Sequence, residues 1–271
     1  MWRGLLAVSC ALVPMKAEAS GGPIGACEDA WKQVAGQHTT EGGTVDAAAA
    51  IKDWQGMAAQ CAGNGLYEIR LASLYAAADR SSEALKVLDS VKAFPSPYRN
   101  AAQLVHLRAE VRLLAHENPV PMEKLRQLKP RYLAVVRQAP ESDLANEQIA
   151  NYMIAIEDYA SAIHYASRSI ELNSHQWEPN RSLAIAHAMQ GEYGPAIAAG
   201  RRAEDLRASL ITDPELMYAV ARSYAAIGNV PVAEKTMGIL AHNNPSVRGT
   251  PDWNACIAFL AARLKASTLN K

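Results

Sequence analysis

The sequence predicts an all-α protein: a solenoid of antiparallel helix pairs, about six helix hairpins plus a C-terminal capping helix. Three observations predict it. Apolar residues make up 49% of the 271 and charged residues 20%, with abundant alanine, only two Phe and no low-complexity tract. That is the composition of a folded chain of closely packed helices. A short pattern recurs with a period of 34 residues. Turn residues punctuate that period at the same place each time, as helix ends and helix starts do.

The recurring pattern is a turn residue, a small or aromatic spacer, then Ala and an apolar residue. It is Ser81-Ser82-Glu83-Ala84-Leu85, then Asp158-Tyr159-Ala160-Ser161-Ala162-Ile163, then Glu192-Tyr193-Gly194-Pro195-Ala196-Ile197, then Val230-Pro231-Val232-Ala233. Ala50 and Ala84 are 34 residues apart, as are Ala162 and Ala196. Ala196 to Ala233 is 37, with the three extra residues in the loop 208–214. Ala84 to Ala162 is 78, two periods plus ten, so one irregular repeat lies between them. Twelve residues before each key alanine stands another: Ala72, Ala150, Ala184 and Ala221, preceded by Leu71, Ile149, Leu183 and Val220. Alanines at matched heights on successive helices let the axes approach closely, and a bulkier side chain at either place would push them apart.

On these residues the chain resembles the tetratricopeptide-repeat family, whose signature is a 34-residue helix pair. In the last unit the family's small, aromatic, glycine, alanine and proline positions match Ala221, Tyr224, Gly228, Ala233 and Pro245. The unit before has Ala184, Gly191, Ala196 and Ala203, with His187 at the aromatic place; the unit at 143–174 has Ala150 and Ala162, with Met153 and Ser169 as departures. The unit at 65–95 carries Ala72, Tyr75, Ala84 and Leu88. The resemblance implies a right-handed superhelix whose inner helices line a concave face, and a scaffold that binds proteins.

In chain order, residues 1–19 read as a signal peptide. Arg3 gives the positive start, Gly4 to Met15 an apolar run, and Ala17-Glu18-Ala19 a cleavage site, which implies a periplasmic or secreted protein. Residues 20–64 read as an N-terminal helix hairpin, Cys27 to Gln37 and Thr44 to Gln60 around the loop 38–43. In an antiparallel pair the start of the first helix lies beside the end of the second, so Cys27 and Cys61 are expected to form a disulfide. Residues 65–246 are the repeats, irregular at 97–140. There a helix Tyr98 to Glu117 is followed by Asn118-Pro119-Val120-Pro121 and a second helix broken by Pro130. Residues 247–271 are a C-terminal capping helix and tail. Thr250-Pro251-Asp252 opens the helix, and Trp253, Cys256, Ile257, Leu260 and Leu264 form one stripe against the last repeat. Cys256 on that stripe reads as an inert core thiol.

The chemistry is sparse. Formal net charge is zero; loss of residues 1–19 removes Arg3, Lys16 and Glu18 and leaves 25 basic against 26 acidic residues. Such a balance gives no electrostatic footprint for nucleic acid. The seven histidines form no close pair on a helix face, and there is no HExxH, G-x-S-x-G or phosphate-loop string. No catalytic residue, cofactor or metal ligand is assigned. Gly191-Glu192-Tyr193-Gly194-Pro195 reads as a joint, with Gly191 ending one helix and Pro195 opening the next. Gly200 stands on the packed face where the family prefers an aromatic.

Function is therefore read from the groove. By register with the family, the candidates to face a partner are Glu147, Gln148 and Asn151; Glu178, Arg181 and Ser182; and Tyr218 and Arg222. The Lys and Asn carboxylate clamp of some family members is absent: the equivalent places hold Glu147 with Asn151, and Arg181 with Ile185. The expected function is a non-catalytic protein–protein interaction scaffold of the cell envelope that holds a protein or peptide in the groove. The alternatives are an enzyme or small-ligand binder using 97–140, and a structural subunit of a larger envelope assembly.

The disulfide closes a loop of 35 residues, worth about 3–4 kcal/mol in the chain-entropy account. Intact-mass measurement without reductant should find the chain two hydrogens light. Full alkylation of Cys27 and Cys61 in the unreduced protein would refute the pairing.

Overall fold

The computed structural model describes residues 23–39, 45–63 and 65–269. The expected signal peptide lies outside the described residues. Those up to 140 form one compact unit and those from 141 onward another. Together they hold six helix hairpins and a final single helix, the all-α repeat architecture the 34-residue period predicts.

In the first unit, helix α1 (Pro23–Gln37) pairs with α2 (Ala47–Cys61), and α3 (Leu66–Ala77) with α4 (Ser81–Asp89). Cys27 and Cys61 are disulfide-bonded, with Cα atoms 5.4 Å apart. Around the bridge Trp31 meets Trp54 edge-on at 5.5 Å, and Trp54 stacks on Tyr67 at 5.9 Å. The buried Arg70 guanidinium lies over Trp31 at 5.0 Å and pairs with Glu28 at 3.1 Å. Burial lowers the Arg70 pKa, opposed by Glu28. The third hairpin is the irregular one. Helix α5 (Ser96–His116) is followed by α6 (Met122–Gln127) and α7 (Lys129–Gln138). The break falls at Leu128, and Pro130 opens α7, in the first turn where its missing N–H costs nothing.

In the second unit the hairpins are regular: α8 (Asp143–Ala155) with α9 (Tyr159–Leu172), α10 (Trp177–Gln190) with α11 (Tyr193–Leu206), and α12 (Pro214–Ala226) with α13 (Val230–Asn243). Helix α14 (Pro251–Leu269) packs on α12 and α13. All eight repeat alanines, 72, 84, 150, 162, 184, 196, 221 and 233, have no solvent exposure.

The turns inside the hairpins are one device used four times. Asp79, Glu157, Gly191 and Gly228 all have positive φ, between 61° and 87°. The next residue's N–H in each case reaches back to the helix just ended: Arg80 to Tyr75, Asp158 to Met153, Glu192 to His187 and Asn229 to Tyr224, at 2.8–2.9 Å. This is the Schellman closure. The key alanine follows five residues after the left-handed residue every time, so the turn fixes where the contact falls. Two of the four positions are not glycine and carry the left-handed conformation at a cost of roughly 1–2 kcal/mol each.

One expectation changes at the C-terminus. Cys256 and Leu260 are buried and Trp253 half-buried, but Ile257 and Leu264 are 41% and 46% exposed. The surface offered by α12 and α13 accepts a narrower stripe than five residues, and 261–266 are exposed throughout. Thr250 does cap the helix, its Oγ1 accepting from the Trp253 N–H at 3.2 Å.

Gly200 on α11 marks a close approach to α12. A Cβ there would stand 2.5 Å from Val220 Cγ2 and 3.7 Å from Ala184 Cβ. Gly200→Ala is expected to destabilise the protein by about 1–3 kcal/mol. Combined with Val220→Ala, which opens the same space, the costs should fall short of additive by about 1 kcal/mol. Strict additivity in denaturant unfolding would show that the helices do not meet there.

Candidate functional site

The expected groove residues sit on the inner helices α8, α10 and α12, and the structure sorts them into two sets. Glu147, Gln148, Glu178, Arg181 and Ser182 are buried; Asn151 and Tyr218 are half-buried, and Arg222 is exposed. Glu147 Oε1 accepts from Gln148 and from Asn151, both at 3.0 Å. Asn151 Oδ1 in turn accepts from Ser182 Oγ at 2.7 Å, which ties α8 to α10. Ser182 Oγ also lies 3.2 Å from the Glu178 carbonyl. Of these bonds the Ser182–Asn151 one joins one inner helix to the next. The polar atoms of these residues are engaged within the repeat, so the free groove face in this unit is narrower than register alone suggested.

Arg181 makes the tie between α10 and α12. Its Nε donates to Asp213 Oδ2 and its Nη2 to Glu215 Oε2, each at 2.5 Å. Asp213 does double duty: its Oδ1 caps α12, accepting from the Glu215 and Leu216 N–H groups at 3.0 and 3.2 Å. Burial opposes the Arg181 charge, but Asp213 and Glu215 outweigh it and raise its pKa. Burial pushes Glu215 up to about 7, with Asp213 and Asp252 adding and Arg181 pulling the other way. Neither carboxylate was singled out from the sequence. The readable signal is that Arg181 and Glu215 stand one period of 34 residues apart, on consecutive inner helices.

Residues of α10, α12 and α14 line a cavity of about 410 Å³. The lining is largely apolar, with Ile185, Met189, Ala219, Cys256 and Phe259. Glu215, Tyr218, Arg222 and Asp252 supply its polar groups. Arg222 rests over the Phe259 ring at 5.3 Å. Burial pushes the Cys256 thiol up to about 11, with Arg222 opposing, so it is held protonated, as expected for a core thiol. Of the eight expected residues, Tyr218 and Arg222 are the two this cavity brings together.

The irregular hairpin has its own cavity of about 340 Å³, lined by α4, α5 and α7 and including Arg99, His106 and Arg131. His106 stands 3.2 Å from Asp89 and 3.5 Å from Glu110. Arg131 pairs with Glu110. His106 and Arg131 are thus engaged with Asp89 and Glu110, and no Ser, Cys or Lys lines the cavity as a nucleophile. Among the described residues no three His, Cys, Asp or Glu side chains are grouped to hold a metal. No helix among them is long and apolar enough to cross a membrane.

Among solved structures the chain is similar to TTC0263, a thermophilic TPR protein of Thermus thermophilus, at 16% identity and TM-score 0.52 over 74% of this chain and 98% of that one. This chain has the tetratricopeptide-repeat fold. MamA (MSR-1 C2) also aligns, at 18% identity and TM-score 0.48 over 66% of this chain and 95% of that one. A search against family models finds no match, and no curated protein matches by sequence.

The Arg181 tie gives a signed pH dependence. A carboxyl whose folded pKa is raised is favoured while protonated, so the stability it contributes is present below the unfolded value and lost as pH rises through the folded one. Glu215 should therefore make stability fall between about pH 4.5 and 7. Glu215→Gln should flatten the wild-type curve over that window, and an unchanged slope would contradict the burial of this carboxyl. Arg181→Ala, which strands two buried carboxylates, should cost about 3–5 kcal/mol.

Proposed function

We propose that this protein is a non-catalytic protein–protein interaction scaffold of the cell envelope, holding a protein or peptide partner in the face lined by α10, α12 and α14. One observation carries the reading: the repeat array leaves an open, largely apolar recess at its C-terminal end, with Arg222 on its rim and Met189 exposed beside it. An apolar recess with a guanidinium at the edge is the anatomy of a protein-binding hot spot, an anchor pocket inside a polar rim. The buried ladder Glu147, Gln148, Asn151, Glu178, Arg181 and Ser182 supports that face from behind and stays in the proposal as its framework.

The export side of the proposal rests on the signal-like sequence at 1–19 and on the Cys27–Cys61 bridge, since disulfides persist in oxidising compartments. The same recess with no nucleophile and base set to a reacting atom favours binding over catalysis.

Crosslinking followed by purification from an envelope extract tests it. Wild-type protein should retain a specific partner, and Arg222→Ala with Met189→Ser should reduce its recovery at least tenfold while leaving the melting temperature in place. Equal recovery by the double variant would remove the recess from the binding face. Arg181 is kept intact in this test because its loss would unfold the α10–α12 contact.

A further inference from the structure

The cavity of the first unit lies where α7 returns along α5. From α5 come Arg99, Gln103 and Leu107, and from α7 come Arg131, Val135 and Gln138. Each set steps by three or four residues, so each helix presents one face to the space. Leu88 on α4 joins Ala102, Leu107 and Val135 in a buried apolar floor. Phe94, half-buried in the link after α4, adds to the wall.

The polar groups around this floor are unevenly used. Arg131 and His106 are engaged with Glu110 and Asp89. Towards the start of α5 nothing is engaged. Among the described residues the side chains of Arg99, Gln103 and Gln138 make no hydrogen bond and no ion pair. All three are exposed, so a ligand reaches them without moving the fold. No Asp or Glu lines the cavity. Arg99 also stands in the opening turn of α5, which holds no acid. A cation there meets the positive end of the helix dipole, where an anion is favoured. Arg99 and His106 are seven residues apart, about 10 Å along the helix. The spare guanidinium and the engaged groups therefore mark opposite ends of one apolar trough.

We propose that this cavity binds a small organic carboxylate, its anionic group on Arg99 and its apolar body against Leu88, Phe94, Leu107 and Val135. The planar guanidinium fork matches a carboxylate with two parallel N–H···O bonds. Gln103 and Gln138 bring further N–H donors to the same end. One positive charge is spare, and a carboxylate carries one negative charge. A volume of about 340 Å³ falls within the usual range for small-molecule sites, about 300–1,000 Å³. The cavity shares no residue with the recess of the second unit, so this site stands apart from the scaffold reading.

Titration of the full chain with 4-phenylbutyrate tests it, followed by calorimetry or NMR. Matched neutral and cationic probes are 4-phenylbutanol and 4-phenylbutylammonium. The acid should bind about tenfold more tightly than either, the worth of one charge-assisted hydrogen bond. Its affinity should fall as salt is raised, because the pair forms at an accessible surface. Arg99→Gln should bring the acid level with the alcohol. Arg99→Lys should restore part of the preference, since the charge returns without the fork. Neither change removes a bond within the protein, so both variants should melt as wild type. Gln103→Trp, at an exposed place on the wall, should block the acid with the fold intact.

Equal binding of acid and alcohol by the wild type overturns the site. So does a preference that survives Arg99→Gln, or an acid affinity unmoved by Gln103→Trp. Either failure leaves partner recovery from the envelope untouched, and loss of that recovery leaves acid binding untouched.

Discussion

The close approach of helices at the buried alanines is the constraint on which the rest depends. It is set by the turn before it. A left-handed residue closes each of these four inner helices, the chain reverses in the next few residues, and the alanine five positions later is fully buried, as is the alanine of the helix just ended. Because the closing hydrogen bond is the same in all four hairpins, at 2.8–2.9 Å, the distance from turn to contact is constant within the molecule even where residue type is not. Asp79 and Glu157 take the strained conformation that glycine takes without cost at 191 and 228. Tertiary packing of the alanine seam is what holds them there, since local preference opposes it.

With the backbones drawn together this far, polar side chains on the inner helices have neighbours within reach. That is why Glu147, Asn151 and Ser182 bond to one another, and why Arg181 finds Asp213 and Glu215. Direct readout of a partner would require breaking such bonds, and an ion pair of this kind is costly to strand. The ladder therefore sets repeat-to-repeat register, much as buried polar groups do in coiled coils. Tyr218, Arg222 and the rim beside them in the second unit stand outside this ladder.

The period, the alanine seam, the N-terminal hairpin with its cysteine pair, and the irregular third hairpin were all legible in the sequence, because each is a local rule repeated at fixed spacing. The groove was legible as a face and not as a site. Register gives the side of a helix on which Arg181 lies, but not that an acid one repeat later will reach back to it. The C-terminal stripe was overread for a related reason. Spacing predicts which residues share a face of α14, while the width of the surface that receives them belongs to α12 and α13. Leu264 falls on 261–266, exposed throughout, and Ile257 on the flank, so both stay in solvent although the spacing is helical.

The cap then explains why a cavity exists at this end. A further repeat would place an inner helix beside α12 with its own alanine seam and close the space. Helix α14 docks through Cys256 and Leu260, with Trp253 and Phe259 partly covered. The gap that results is walled largely by apolar side chains. An element held by so narrow a stripe also opens at lower free energy than the hairpins behind it. The same mismatch that leaves the space thus gives a route into it.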